Sequence, residues 1–229
     1  MTYQVLISGA NRGIGLEFTK QYAQDGWKVL ACCRNPDFAS NLQALAKTNT
    51  NIRILNLDVA DFEQIDALSI ALKDEKIDVL INNAGVYPQS NLGDSDTEAW
   101  LEAFKINSIA PLRMATAFTP HIAKSELKKL VTLSSKMGSM SDNTSGGSYI
   151  YRSSKAAVNM VMKSLSIDLQ SSGIAVLTLH PGWVLTDMGG SNALIDTKTS
   201  VSGLRKVIAN LNMENAGKFI AFDGKEIPW

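Results

Sequence analysis

SGANRGIG, residues 8–15, decides the fold, because its three glycines stand between an apolar run and a helical pattern. The apolar run covers residues 3–7, and Ile14, Phe18 and Tyr22 then recur at the spacing of one helix face. A second apolar run follows from Lys28 to Cys33. A glycine-rich turn between a strand and a helix lets backbone N–H groups approach a pyrophosphate, so the segment predicts a dinucleotide-binding βαβ unit.

A second informative segment, Tyr151 to Lys155, sets a phenol and an ammonium four residues apart. On a helix, positions four apart lie on the same face. A nearby positive charge favours the phenolate, so we expect Lys155 to bring the pKa of Tyr151 closer to neutrality and to make Tyr151 a general acid or base. The spacing alone favours the alternative, a solvated helix face, and the other motifs of the chain argue against it.

Further motifs follow in order along the chain: Asn-Asn-Ala-Gly at residues 82–85, Asn107, Ser135, and Pro-Gly-x-Val-x-Thr at residues 181–186. With the glycine-rich turn and the Tyr-x-x-x-Lys segment, they closely resemble the short-chain dehydrogenase/reductase family over nearly the whole chain. Ser8 stands where the family's nucleotide motif has threonine, and it keeps the hydroxyl. Within the family, residues 134–155 and the C-terminal tail look like the C-factor or C-signal group of reductases.

The expected fold is α/β: a single Rossmann domain over residues 1–229, with a doubly wound parallel sheet of about seven strands and helices on both faces. The chain's own pattern agrees, because short apolar runs alternate with helical segments, as in parallel sheets buried on both faces. The later runs are residues 52–57, 77–81, 130–133 and 174–179. Asn82, Ser134 and His180 fall at the ends of three runs, so we expect them to meet at one edge of the sheet.

Composition limits the classes of partner. Lys plus Arg and Asp plus Glu both total 22, so the net charge is zero and no general field attracts nucleic acid or anionic lipid. The chain shows neither a run of about 20 apolar residues that would span a membrane nor a signal peptide, so we expect a cytoplasmic protein. Cys32 and Cys33 should be buried thiols on opposite faces of a strand. His121 and His180 lack neighbouring ligands at metal spacing, so no metal is expected.

The resemblance implies hydride transfer between a nicotinamide and a small carbonyl or alcohol substrate. In the reduction direction Tyr151 would protonate the developing alkoxide and Ser135 would hydrogen-bond the same oxygen. Lys155 would favour the phenolate and hold the nicotinamide ribose, while Asn107 would hold a water linking Lys155 to solvent. Taken alone, an asparagine such as Asn107 is more often an ordinary helix-end amide, and only the surrounding motifs favour the catalytic role. Ser134 competes with Ser135, because neighbours near a strand end point to opposite faces, and Ser135 matches the family's serine.

Cofactor preference depends on the end of the second strand. Cys33 stands where NAD-dependent members of the family commonly carry an acidic residue, and Arg34 follows it. Arg34 with Arg12 would clamp a 2'-phosphate, which favours NADP(H) over NAD(H), although an arginine there is also consistent with a solvated residue. The cofactor-binding set implied by the resemblance, in addition to Tyr151 and Lys155, is Gly9, Asn11, Arg12, Gly13, Ile14, Gly15, Arg34, Asp58, Val59, Asn83, Ala84, Gly85, Pro181, Gly182, Val184 and Thr186.

Residues 183–200 correspond to the family's substrate loop. They carry Leu185, Met188, Leu194 and Ile195 among glycines, which suits either an apolar lid over a small hydrophobic carbonyl compound or an ordinary surface loop. Helices around residues 111–122 and 151–169 build subunit interfaces in the family, so a homodimer or homotetramer is expected. Their apolar side chains, which include Val158, Val161, Met162 and Leu165, would equally fit against the sheet.

Two other functions stay open at this stage. One is a nucleotide-binding, C-factor-like signalling protein whose role does not depend on turnover, and the other is an NAD-dependent alcohol dehydrogenase of the same family. The intact pair of Tyr151 and Lys155 favours an enzyme over a signalling protein, because a protein that no longer catalyses would be free to lose either residue.

Overall fold

A parallel sheet of seven strands forms the centre of the computed structural model, which describes residues 2–229. Its strand order is β3-β2-β1-β4-β5-β6-β7, and every neighbouring pair is parallel. The strands are β1 (Gln4–Ser8), β2 (Lys28–Cys33), β3 (Ile52–Asn56), β4 (Val79–Asn82), β5 (Lys129–Leu133), β6 (Ala175–His180) and β7 (Phe219–Ala221). The predicted doubly wound parallel sheet is confirmed, with strand ends displaced by one or two residues from the apolar runs.

Helices cover both faces of this sheet. They are α1 (Gly13–Gln24), α2 (Ser40–Thr48), α3 (Phe62–Ala71), α4 (Thr97–Phe104), α5 (Ala110–Ala123), α6 (Tyr149–Asp168) and α7 (Thr197–Asn210). Helices α1, α2 and α7 bury apolar side chains on one face, and α3, α5 and α6 do so on the other. A short π-helical turn, Lys105–Ile109, joins α4 to α5.

Strand side chains supply both cores, because successive residues of a strand point to opposite faces. In β1, Val5 and Ile7 belong to the core under α1 and α7, whereas Leu6 belongs to the other core. The same alternation separates Cys33 from Cys32, which are both buried free thiols, as predicted. Full burial of each such aliphatic side chain contributes about 1.5–3 kcal/mol, so the two cores dominate the stability of the fold.

Residues next to the helix ends explain where several helices begin and end. Asp61 begins α3 by accepting hydrogen bonds from the N–H groups of Glu63 and Gln64, and Asp196 begins α7 in the same way through Thr199. Gly26, with φ of +78°, lets the chain turn after α1 into β2. Because Asp196 caps α7, residues 197–200, which the sequence assigned to the end of the substrate loop, form the first turn of this helix.

Apolar side chains of α6 face the sheet instead of a partner. Val158 and Met162 are buried in the core, and Leu165 is 8% exposed. Met160 and Ile167 are instead exposed on the outer side of this helix. The side chains that the sequence left open between sheet and interface therefore belong to the sheet.

Candidate active site

An open cleft of about 810 Å³ lies at the carboxyl edge of the sheet. It crosses the point between β1 and β4 where the strand order changes direction, which is where ligands of doubly wound sheets bind. Three predicted residues lie at this edge: Asn82, Ser134 and His180. The cleft is lined by the glycine-rich turn together with Tyr151 and Lys155.

The glycine-rich turn is held against the end of β4 by Ser8 and Asn83. Ser8 Oγ accepts hydrogen bonds from the N–H groups of Asn83 and Ala84, at 3.0 and 3.1 Å. The Asn83 amide donates in return to the carbonyls of Ser8 and Gly9, at 2.8 and 3.0 Å. The hydroxyl that serine shares with threonine thus joins the nucleotide motif to the Asn-Asn-Ala-Gly motif.

Two glycines of this turn have no room for a side chain. A Cβ on Gly9, whose φ is +66°, would lie 3.0 Å from the Ala84 Cα, and one on Gly15 would overlap the Gly9 carbonyl. Helix α1 starts directly behind, and Arg12, the residue that precedes it, makes no side-chain capping bond. Free N–H groups at the positive end of a helix attract an anion, so this cradle fits the pyrophosphate of a dinucleotide.

Arg12 and Arg34 are not held together in this structure. Arg12 Nη1 lies 2.6 Å from Asp187 Oδ2, across the cleft on the segment after β6, whereas Arg34 is exposed at the end of β2. The sequence suggested a clamp of two arginines and did not anticipate the carboxylate that pairs with one of them. Both side chains of the pair are more than half exposed, so the pair is weak.

Tyr151 and Ser135 meet at the inner end of the cleft. Tyr151 is the third residue of α6 and is 8% exposed, and the Ser135 side chain lies close enough to the phenol to lower its pKa. Ser134 also lines the cleft, but its hydroxyl donates to Asn159 Oδ1 at 2.6 Å. The structure therefore places Ser135, and not Ser134, beside the phenol.

The electrostatics of Tyr151 differ from the expectation. Burial raises its pKa to about 12; the nearby Ser135 side chain opposes this shift, and the neighbouring Tyr87 adds to it. Lys155 Nζ lies 5.7 Å from the Tyr151 ring centroid and donates to the Leu133 carbonyl at 2.9 Å, and burial lowers the pKa of Lys155 to about 8. The prediction that Lys155 brings the phenol toward neutrality is wrong for this state, because desolvation of the phenolate outweighs a cation that is itself desolvated.

Asn107 lies in the π-helical turn between α4 and α5, so it is not an ordinary helix-end amide. Its Oδ1 accepts from the Val86 N–H and its Nδ2 donates to the Val86 carbonyl, both at 2.9 Å. Nδ2 also donates to Ser154 Oγ on α6 at 2.9 Å. The widened turn thus frees the amide to join the loop after β4 to the helix that carries Tyr151.

The segment after β6 is ordered by its own hydrogen bonds. Trp183 Nε1 donates to the Gly189 carbonyl at 2.7 Å, and the Leu185 N–H donates to the Ile195 carbonyl at 2.9 Å. Leu185 and Met188 line the cleft, as do Pro181 and Thr186. Val184 is buried and pairs with Ile195, and Gly182, with φ of +84°, faces Ile195 and Phe222, so these two residues shape the loop and do not line the cleft.

The other predicted cofactor residues all line the cleft. They are Gly9, Asn11, Arg12, Gly13, Ile14, Gly15, Arg34, Asp58, Val59, Asn83, Ala84, Gly85, Tyr151 and Lys155. Sequence reasoning missed Lys20, Phe38 and Asn41, which line the outer end beyond Arg34, and Asp187. Asp187 follows the predicted Thr186 directly, so its position beside a recognised motif was the available signal. The others lack a motif.

Residues 2–229, which the structure describes, lack two features. No three His, Cys, Asp or Glu side chains lie close enough together to hold a metal ion. No helix in this part of the chain combines the length and apolar character needed to cross a bilayer.

Comparisons with known proteins agree with this geometry. The family model described as short chain dehydrogenase matches residues 3–194. The carbonyl reductase Sniffer of Drosophila melanogaster superimposes with a TM-score of 0.93 at 36% identity, covering 100% of both chains. An NADPH-bound carbonyl reductase from chicken fatty liver gives a TM-score of 0.94 at 34% identity, covering 100% of this chain and 99% of that one.

One relative is named as a signal and not as a reductase. The C-signal protein of Myxococcus xanthus is 46% identical over 154 residues, which cover 67% of this chain and 93% of the relative.

Proposed function

Because the chain belongs to the short-chain dehydrogenase/reductase family, we propose that it is an NADP(H)-dependent oxidoreductase acting on a small carbonyl or alcohol substrate. The observation that carries the proposal is the buried Tyr151, which stands beside Ser135 and lines the same cleft as the glycine cradle. NADPH, when bound, supplies the hydride. A panel of aldehydes and ketones assayed with NADPH and with NADH tests turnover, cofactor and substrate class together.

The chain's own residues account for the proton in this reaction. With a pKa raised to about 12, Tyr151 holds its proton at neutral pH and is ready to donate it to a developing alkoxide. Ser135, beside the phenol, would hydrogen-bond the same substrate oxygen. Lys155 would hold the nicotinamide ribose, and Asn107, fixed to Val86 and Ser154, would hold the water that links Lys155 to solvent.

Binding of the dinucleotide is distributed along the cleft. The cradle of Gly9 and Gly15, together with the uncapped start of α1, would hold the pyrophosphate. Arg34 would bind the 2'-phosphate. Asp58 and Val59 would border the adenine. Leu185 and Met188, each close to half exposed at the other end of the cleft, favour a small hydrophobic carbonyl compound as substrate.

Arg34→Ala is expected to weaken NADPH binding far more than NADH binding, because only NADPH carries the phosphate that the guanidinium would meet. Losing a charge-assisted hydrogen bond costs about 1.5–3 kcal/mol, which is about tenfold to a hundredfold in Kd. Titration of each dinucleotide by fluorescence measures the effect. Arg53→Ala is the matched control, since Arg53 is paired with Glu75 outside the cleft. Equal losses for NADPH and NADH would remove Arg34 from the phosphate site.

Asp187→Asn is expected to tighten NADPH binding modestly, because it releases Arg12 from its ion pair and leaves that charge free for the cofactor. The pair is exposed, so the gain should not exceed about 1 kcal/mol, or about fivefold in Kd. The gain should shrink at high salt, which screens Arg12 from the phosphates. Weaker binding in this variant would mean that Asp187 itself holds the cofactor or the loop.

A signalling role without turnover is the second candidate, favoured by the similarity to the C-signal protein. An NAD-dependent alcohol dehydrogenase is the third, and it differs only in the cofactor preference that the same panel measures. A Tyr151→Phe protein separates signalling from catalysis, because a role that survives this change in cells does not depend on turnover. The homodimer or homotetramer and the cytoplasmic location stay predictions.

A further inference from the structure

The phenol ring of Tyr87 lies beside that of Tyr151. It lies in the loop after β4, two residues beyond Gly85, and no motif in the sequence marked it. Its ring centroid is 4.5 Å from that of Tyr151, and the two rings are almost perpendicular at 86°. This edge-to-face arrangement is the favoured geometry for an aromatic pair, and it restricts rotation of the Tyr151 ring.

The hydroxyl of Tyr87 is anchored to the start of α6. It lies 3.0 Å from Ser148 Oγ, and Ser148 is the residue that precedes the helix. Ser148 has a φ of +47°, a left-handed conformation that few residues other than glycine adopt, so the contacts around it must hold the turn. Tyr87 therefore touches both the Tyr151 ring and the point from which its helix departs.

Ser90, in the same loop, completes the attachment. Its carbonyl accepts from the Ser148 N–H and its Oγ accepts from the Ile150 N–H, both at 3.0 Å. These contacts satisfy N–H groups at the beginning of α6, where a helix has no partners of its own. The loop after β4 thus caps the helix that positions Tyr151.

The other end of the loop is fixed by Asn107, which makes two hydrogen bonds to the backbone of Val86, the residue before Tyr87. A continuous path therefore runs from Asn107 through Val86 and Tyr87 to Tyr151. Asn107 therefore holds the end of the loop from which Tyr87 reaches the Tyr151 ring.

We propose that Tyr87 is a positioning residue for Tyr151, which holds the catalytic ring by edge-to-face contact and the start of α6 through Ser148. The inference rests on the proposed role of Tyr151. It assigns no contact between Tyr87 and the substrate. Tyr87 itself does not line the cleft in which the dinucleotide would bind, so its effect is on kcat and the dinucleotide keeps its affinity.

Tyr87→Leu removes the ring and the hydroxyl, and it is expected to lower kcat by about a hundredfold with the NADPH Kd unchanged, because a small displacement of the proton donor is costly. Tyr87→Phe keeps the ring and loses only one hydrogen bond, so its kcat should be at most about tenfold below that of the wild type. Equal kcat for wild type and Tyr87→Leu would overturn the proposal.

A double-mutant cycle tests the anchor. Tyr87→Phe and Ser148→Ala each break the same hydrogen bond, so the double variant should be no slower than either single variant. Fully additive losses in kcat would show that the two hydroxyls act independently and would overturn the anchoring step.

A measurement without turnover separates this proposal from the proposed function. In protein with ¹³C-labelled tyrosine, the chain's 5 tyrosines give few signals, and the Tyr151 signal is the one lost in Tyr151→Phe. The ring current of Tyr87 should displace it, and Tyr87→Leu should abolish the displacement. If the wild type reduces no carbonyl, the proposed function is refuted, but the spectrum still tests the contact between Tyr87 and Tyr151. A Tyr151 signal that does not move in Tyr87→Leu would refute the contact itself.

Discussion

Tyr151→Phe is expected to lower kcat for carbonyl reduction by about a hundredfold or more, the share that a general acid contributes. The change removes the hydroxyl that lies beside Ser135 and keeps the ring that packs against Tyr87. Steady-state rates with NADPH and a reactive aldehyde measure the loss. The Kd for NADPH should stay close to that of the wild type, because phenylalanine preserves the wall of the cleft.

Tyr149→Phe is the matched control for this prediction. Tyr149 is on the same helix and is 39% exposed, outside the cleft, so its loss of a hydroxyl should leave kcat unchanged. Near-normal turnover by Tyr151→Phe would refute the assignment of the proton donor and, with it, the proposed reaction mechanism.

Lys155→Met is expected to reduce both cofactor binding and catalysis, because one ammonium serves the ribose and the phenol. Methionine keeps an apolar stem of similar length and removes the charge and its donors. The NADPH Kd should rise about tenfold to a hundredfold, the effect of losing a charge-assisted hydrogen bond, and kcat should fall in addition. Lys163→Met, an exposed lysine later in the same helix, provides the control and should change neither quantity.

The pH profile of the wild type gives an independent test of Lys155. Burial lowers its pKa from 10.5 to about 8, so the ammonium is present below about pH 8 and is lost above it, whereas Tyr151, with a pKa of about 12, keeps its proton throughout. We expect kcat/KM for NADPH, which reports on the cofactor-free enzyme, to fall as pH rises through about 8. The same inflection in Lys155→Met would assign it to another group.

The sequence predicted those parts of the site that depend on local patterns. The cradle at Gly9 and Gly15 is such a part, because backbone crowding in a strand-turn-helix unit demands glycine wherever the unit occurs. Strand alternation predicted that only one of Ser134 and Ser135 faces the site, and the resemblance to the family, not the alternation, selected Ser135. The position of β7 was not located, because its three residues, Phe219–Ala221, are too few to show a pattern.

The parts that sequence reasoning missed depend on contacts between distant segments. Asp187 meets Arg12 across 175 positions, and the hydroxyl of Tyr87 meets Ser148 across 61. The pKa of Tyr151 was assigned the wrong direction for the same reason: spacing on a helix identifies a neighbouring charge, but only the packed structure determines how completely water is excluded. Burial is a property of the whole fold, and here it outweighs the local pair.

Cys32 and Cys33 allow the two helical layers to be observed separately by thiol labelling. Burial raises the pKa of both thiols, so a thiol-directed reagent reacts only when the covering layer opens. Cys33 also lines the cleft near Arg34, where a bound dinucleotide would cover it further, whereas Cys32 lies in the opposite core. In variants that keep one cysteine, the labelling rate of Cys33 therefore depends on cofactor occupancy as well as on local opening, and that of Cys32 reports the release of α3, α5 and α6 from the sheet.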